Sequence, residues 1–197
     1  MQIIFLSKHE PGDYVDKGEA GAYPGAPVKC PYKDCGINVP MKKNGFYRRY
    51  LKTSTFSGRI GIRRYKCPKC GRTASMLPSF CLAGFSYGAG LIINMMQTAV
   101  ETGSLRKAVK EWIGIAECIS RRHIALYLAR IRENRKLIQY GINQISPENV
   151  NIGNSPGDTE WAKRFLLGIR PTLSPEFNAD FHKATGKSFM SPQKMIA

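Results

Sequence analysis

Acidic side chains are scarce in this 197-residue chain, with 14 Asp and Glu against 30 Lys and Arg and a formal net charge of +16. A surface so short of negative charge attracts polyanions. Histidine is sparser still. His9, His123 and His182 are the three present, and none stands at ligand spacing from another, which makes metal roles for them poor candidates. No apolar run approaches the ~18–20 residues that cross a bilayer. The opening residues, MQIIFLSKHEPGDYVDKG, hold one short apolar stretch and no positive n-region, so the expected location is the cytoplasm and neither secretion nor membrane insertion is expected. What is present suits a folded protein: 43% hydrophobic and 22% charged residues, in a length that fits one large domain or two small ones.

The positive charge is concentrated. Residues 29–82 carry thirteen basic side chains and one acid, Asp34, for a net +12, whereas residues 1–28, 83–146 and 147–197 carry −2, +5 and +1. Self-repulsion at that density destabilises a fold unless a polyanion or metal-bound thiolates offset it, which points to nucleic acid. Lys42, Lys43, Arg48, Arg49, Arg63 and Arg64 are the candidate contacts in this stretch.

Hydrophobic periodicity divides the chain. Residues 1–28 predict a short strand at 3–6 and then a Gly/Pro-rich arm with little to pack. Residues 29–80 contain short β-type runs at 38–41, 46–53, 59–66 and 73–77, with turn signals at Asn44-Gly45 and Ser57-Gly58. Asn-Gly between two such runs is a strong hairpin cue, because both residues tolerate the positive φ of a type I′ turn. From Tyr87 the period lengthens to 3.6, and apolar residues mark three helices: Leu91 to Val100, Leu105 to Trp112, and a third, long one through Ile124, Leu128, Ile131 and Ile138.

Cysteine spacing carries the sharpest chemistry. Cys30-Pro-Tyr-Lys-Asp-Cys35-Gly and Cys67-Pro-Lys-Cys70-Gly flank the hairpin region as two short Cys turns. Four soft ligands brought together in this way suit a tetrahedral structural Zn²⁺, and the glycine after each second cysteine lets the backbone fold back toward the sulfurs. A β-unit this small gains from the metal the stability its core lacks. A redox CxxC would be expected in a βαβ setting, which is absent here. Cys81 and Cys118 read as ordinary packed cysteines.

Further along, GSLRKAVKEWIGIA reads as an N-capped helix and turn, and ECISRRHI as the opening of the next helix. In a helix-turn-helix the second helix presents its N-terminal side chains to base edges in the major groove. Ser120, Arg121, Arg122 and His123 are the candidate readers, arginine because it pairs bidentately with guanine. Arg130, Arg132, Arg135 and Lys136 lie where phosphates or solvent are the company.

The run CPYKDCG, KKNGFYRR, RIGIRRYKCPKCGRTAS and then GSLRKAVKEW resembles the N-terminal DNA-binding region of bacterial insertion-sequence transposases, with their transposase-like zinc ribbon, over about residues 28–140. The resemblance implies recognition of element ends or regulatory DNA, with Cys30, Cys35, Cys67 and Cys70 as zinc ligands. The expected fold is α+β: a flexible arm at 1–28, a small β zinc ribbon at 29–82, a helical helix-turn-helix domain at 83–146 and a helical tail at 147–197. The chain departs from such transposases after residue 140. The acids there are Glu148, Asp158, Glu160, Glu176 and Asp180, in a stretch too short for a nuclease core with three metal-binding acids. No catalysis is therefore expected. The tail predicts helices near 158–168 and 174–185, with Trp161, Phe165, Phe177 and Phe181 as a docking surface for the helical domain, a transposase or another protein.

The function this implies is a non-catalytic, zinc-dependent binder of double-stranded DNA related to mobile elements. Two alternatives stand beside it. One is an RNA-binding zinc ribbon, in which Tyr32, Phe46, Tyr47, Tyr50 and Tyr65 stack unpaired bases. The other is the DNA-binding half of a split transposase.

Overall fold

Residues 42–52 are strand formers broken only by Asn44-Gly45, and in the computed structural model they form one continuous strand, β2 (Lys42–Lys52). The Asn-Gly pair is a bulge rather than a hairpin turn: the pairing register with β3 (Ser57–Lys66) shifts between Lys43 and Phe46, and Gly45 has φ 67°. A glycine with positive φ serves a bulge as well as a turn, and local sequence does not distinguish the two. The turn itself lies at residues 53–56. There the Thr53 hydroxyl accepts from the Thr55 and Phe56 amides, and the Thr53 amide donates to the Phe56 carbonyl at 2.7 Å.

The structure describes residues 1–145, 157–168 and 175–192. Two further strands, β1 (Gln2–Phe5) and β4 (Thr73–Pro78), complete a sheet of order β1-β4-β3-β2, in which β1 runs parallel to β4 and the other pairs are antiparallel. After the sheet come helices α2 (Ala89–Glu101), α3 (Leu105–Trp112), α4 (Arg121–Glu133), α5 (Arg135–Ile145), α6 (Asp158–Gly168) and α7 (Pro175–Thr185). The α+β class expected from the periodicity is the class observed.

The first 28 residues are not the loose arm that their glycines and prolines suggest. Residues 2–5 pair with β4, and Pro11–Gly21 form α1. Proline suits a first helical turn because its missing N–H would be unsatisfied there anyway, and Asp13 in that turn complements the helix dipole. One residue anchors the segment. Tyr14 is fully buried, packs edge-on to Tyr23 and Phe80, and donates its hydroxyl to the Gly61 carbonyl at 2.9 Å. A single buried aromatic in a polar helix leaves little periodicity to detect.

The long third helix is two helices. Asn134 interrupts it with φ −90° and ψ 11°, and its side-chain amide donates to the Phe189 and Ser191 carbonyls at 3.0 and 2.8 Å. Asparagine readily trades helix continuity for such bonds. The tail helices fall where expected, but their aromatics face inward. Trp161, Phe165 and Phe181 are fully buried and Phe177 nearly so, within one core shared by α2, α4 and α5. These rings dock the tail onto the helical domain, one of the expected arrangements, and are not exposed to a separate partner.

A second core lies against the sheet, around Ile4, Leu51, Ile60, Ile62 and Leu77, and a third surrounds the cysteines. The helical and sheet parts are tied by Asn178 of α7, which donates to the Ser79 and Cys81 carbonyls at 2.6 and 2.9 Å. His182, also on α7, is held below the usual imidazole range by burial. Its unfolded form therefore takes up a proton at a higher pH than the folded form, so its contribution is complete above about pH 6.5 and is lost as pH falls through the folded value. Urea titrations from pH 7.5 to 5 should show stability declining below pH 6.5, and His182→Gln should flatten that decline. An identical decline in the variant would assign it to other groups.

Candidate metal centre and basic surface

Two tight turns build the cysteine cluster. In the first, the Cys30 amide donates to the Ile37 carbonyl at 3.0 Å, and the Cys35 and Gly36 amides donate to the Tyr32 carbonyl at 3.0 and 2.8 Å. In the second, which joins β3 to β4, the Cys67 amide donates to the Arg72 carbonyl and the Gly71 amide to the Cys67 carbonyl, at 2.9 and 3.0 Å. Gly36 and Gly71 have φ of 51° and 71°, the left-handed conformation that reverses the chain after each second cysteine.

The four Sγ atoms of Cys30, Cys35, Cys67 and Cys70 all lie within 4.8 Å of one another. Cys30 to Cys70 is 3.8 Å and Cys35 to Cys67 is 3.9 Å. A metal with tetrahedral sulfur ligands at about 2.3 Å sets the sulfurs about 3.8 Å apart, so this group is positioned to hold a metal ion. Four protein ligands complete a tetrahedron and leave no position open for substrate, which makes a metal here structural. Cys30 and Cys67 are buried, with Met41, Tyr65, Ala74 and Met76 around them.

Arg72 is the residue at this centre that the spacing between cysteines does not reveal. Its Nε–H donates to the Cys70 sulfur at 3.5 Å, which pulls that thiol down to about 6, whereas burial pushes the Cys30 thiol up to about 12. The guanidinium also lies 4.0 Å from the centre of the Tyr32 ring and pairs with Asp34 at 2.7 Å. The one acid of residues 29–82 is thereby taken up beside the cysteines. Its position two residues after Cys70 is the signal that could have singled out Arg72. Of the other cysteines, Cys81 is fully buried as expected, but Cys118 is exposed in the loop before α4, where neighbouring apolar residues mislead.

The basic candidates divide. Lys42, Lys43 and Arg48 are exposed on β2, and Arg64 is half-buried. Arg63, by contrast, is 5% exposed, is ion-paired with Glu19 and lies over the Tyr23 ring at 5.2 Å, so it is not a surface cation. Arg49 also turns inward and donates to the Leu82 and Phe85 carbonyls. Strand alternation explains the split. Arg49 shares a face with buried Leu51, and the aromatic cover over Arg63 comes from a segment that reads as an arm.

At the helices, Ser120 is the N-cap of α4, so the helix opens at Arg121 and not at Glu117. Ser120 and His123 form a capping box: the Ser120 amide donates to His123 Nδ1 at 3.1 Å, and the Ser120 hydroxyl lies at the same distance from that nitrogen. Both side chains are thus engaged locally. Arg121 and Arg122 remain exposed in the first turn. The connection from α3 to α4 runs over residues 113–120, longer than the 3–4 residues of a standard helix-turn-helix, and is pinned by buried Ala116 and Ile119. Within it, Glu117 pairs with Lys52 at the end of β2 at 2.8 Å, a link that lowers the carboxyl pKa and raises the ammonium's. One end of the basic hairpin therefore meets the loop that leads into α4.

No helix among the described residues is long and apolar enough to cross a membrane. Comparison of the chain with family models, with curated proteins and with solved structures finds no match.

Proposed function

We propose that the cysteine cluster holds zinc and that the chain is a non-catalytic binder of double-stranded DNA, serving the ends or regulatory sites of a mobile element. Four thiolates favour a soft ion, and Zn²⁺ suits a closed tetrahedral site with no redox role. The observation that carries the DNA reading is the Lys52–Glu117 pair, which joins the loop before α4, four residues ahead of exposed Arg121, to one end of the cation-rich hairpin. In this reading the arginines address base edges while Lys42, Lys43 and Arg48 hold phosphates. The likeness of residues 28–140 to transposase DNA-binding regions supports the link to mobile elements. The non-catalytic reading is supported by Asp158 and Glu160, which are occupied in ion pairs with Arg135 and Arg164 at 2.9 and 3.4 Å.

The two kinds of contact separate by experiment. Arg121→Ala should relax sequence preference, with a loss of about 1–3 kcal/mol of discrimination at the base it reads. Lys42→Ala with Lys43→Ala should weaken binding equally on all sequences and flatten the salt dependence by about one slope unit for each phosphate no longer neutralised. Titration of specific and scrambled duplexes at several salt concentrations reads both. Equal effects of the two changes on every sequence would remove Arg121 from the readers.

A further inference from the structure

On the outward face of β2, Phe46, Arg48 and Tyr50 form a row, and their cross-strand partners on β3 are Arg63, Gly61 and Arg59. Phe46 and Tyr50 are 47% and 48% exposed, and Arg48 and Arg59 are exposed with them. Two rings half-open in one row of a sheet surface, interleaved with cations, form a patch that a partner can use. β2 is the outer strand of the sheet, so the row is accessible along its length. Tyr50 is held in place by a 2.6 Å hydrogen bond between its hydroxyl and that of Ser57. The Tyr23 hydroxyl fills the space over Gly61, next to Arg48, and forms the inner wall of the row.

The other aromatic candidates are committed elsewhere. Tyr65 is buried, with its hydroxyl donated to the Pro24 carbonyl, Tyr32 lies under Arg72, and half-buried Tyr47 pairs with Ile62 and belongs to the opposite face. The neighbouring acids are also committed, Glu19 to Arg63, Asp34 to Arg72 and Glu117 to Lys52, while Arg48 and Arg59 have no acidic partner among the described residues. The free charge of this face is therefore positive, which selects a polyanion over an apolar or basic partner.

We propose that the row Phe46–Arg48–Tyr50, with Arg59, is a stacking platform for unpaired nucleotides. This deepens the nucleic-acid reading above and rests on it. Alternate strand residues lie about 6.7 Å apart, so the two rings are about 13 Å apart along the strand. In a duplex the base faces are covered by their neighbours at about 3.4 Å, and only an unpaired, splayed strand exposes faces for rings so placed. Arg48, between the rings, and Arg59, opposite Tyr50, then meet the phosphates that run past them. The row leads through Lys52 and Glu117 toward α4, so an unpaired tail beside a bound duplex lies within its reach.

The test uses the full chain with its metal and three fluorescent probes: a 12-nucleotide mixed-sequence DNA strand, the same sequence as RNA, and a blunt 20-base-pair duplex. Phe46→Ala and Tyr50→Ala should each weaken single-strand binding by about tenfold, Tyr50→Phe should retain it, and duplex affinity should stay within twofold. Because both rings are half-exposed, unchanged thermal melts are expected and check that folding is intact. Equal affinity for the DNA and RNA strands is expected of a surface that uses ring faces and phosphates; a strong preference for RNA would overturn that and require a 2′-hydroxyl contact. Equal weakening on duplex and single strand, no weakening on either, or displacement of the strands by poly-glutamate at matched charge would overturn the platform. Failure of duplex binding with single-strand binding intact would overturn the duplex reading alone.

Discussion

Cys67→Ser is expected to release the metal and melt the cysteine-bearing end of the sheet while leaving most of the helical signal in place. Structural zinc in small modules contributes about 10–16 kcal/mol of apparent binding free energy, as large as the entire stability of a typical domain. The cluster around Cys30, Met41, Tyr65, Ala74 and Met76 is too small to hold the two Cys turns and the strand ends beside them without that contribution, whereas the other end of the hairpin is packed in the sheet core through Leu51, Ile60 and Ile62. The helical core shares no buried residue with it, which is why its helicity should persist. Metal analysis should fall from one ion per chain to a small fraction, amide dispersion over residues 30–43 and 65–76 should collapse, and ellipticity at 222 nm should change little. A metal-free or Cys67→Ser protein that kept its dispersion over those residues would refute a metal-dependent fold.

The second large effect lies at the other end of the chain. Trp161→Ala should lower stability by about 3–5 kcal/mol, the usual loss for truncating a buried aromatic side chain. For a protein of this size that corresponds to a fall of about 10 °C in Tm. Trp161 is fully buried and stacked on Phe165 at 5.4 Å between ring centres, and Gln97 of α2 donates to the Leu166 carbonyl at 2.8 Å in the same helix. A melting temperature unchanged within 2 °C would mean that α6 detaches easily and serves partners after all.

The parts of the fold legible in the sequence are those where one local signal has one reading. Two Cys turns, each followed by glycine, point to the four-sulfur cluster because little else arranges thiols that way. The 3.6 period from Leu91 onward marks helices because the apolar face is wide. The misread parts depend on contacts distant in sequence. Asn44-Gly45 fits a turn or a bulge, and only the pairing of β2 with β3 decides. The first 28 residues are secured by one tyrosine meeting Gly61, and the break at Asn134 by carbonyls more than fifty residues away. Arg63 looks like the other arginines of its strand until Glu19 and Tyr23 cover it. Of the candidate site, the four cysteines of the cluster were legible, whereas the Lys52–Glu117 link between the hairpin and the loop before α4 was not.

Selection from a random duplex-DNA pool by the zinc-loaded full chain, at near-physiological salt, tests the central claim most directly. The expected result is an enriched motif whose preference is lost in Arg121→Ala while nonspecific affinity remains. Binding without enrichment would leave the charged hairpin as the sole contributor and contradict base reading by α4, and an absence of duplex binding would contradict the proposed function outright.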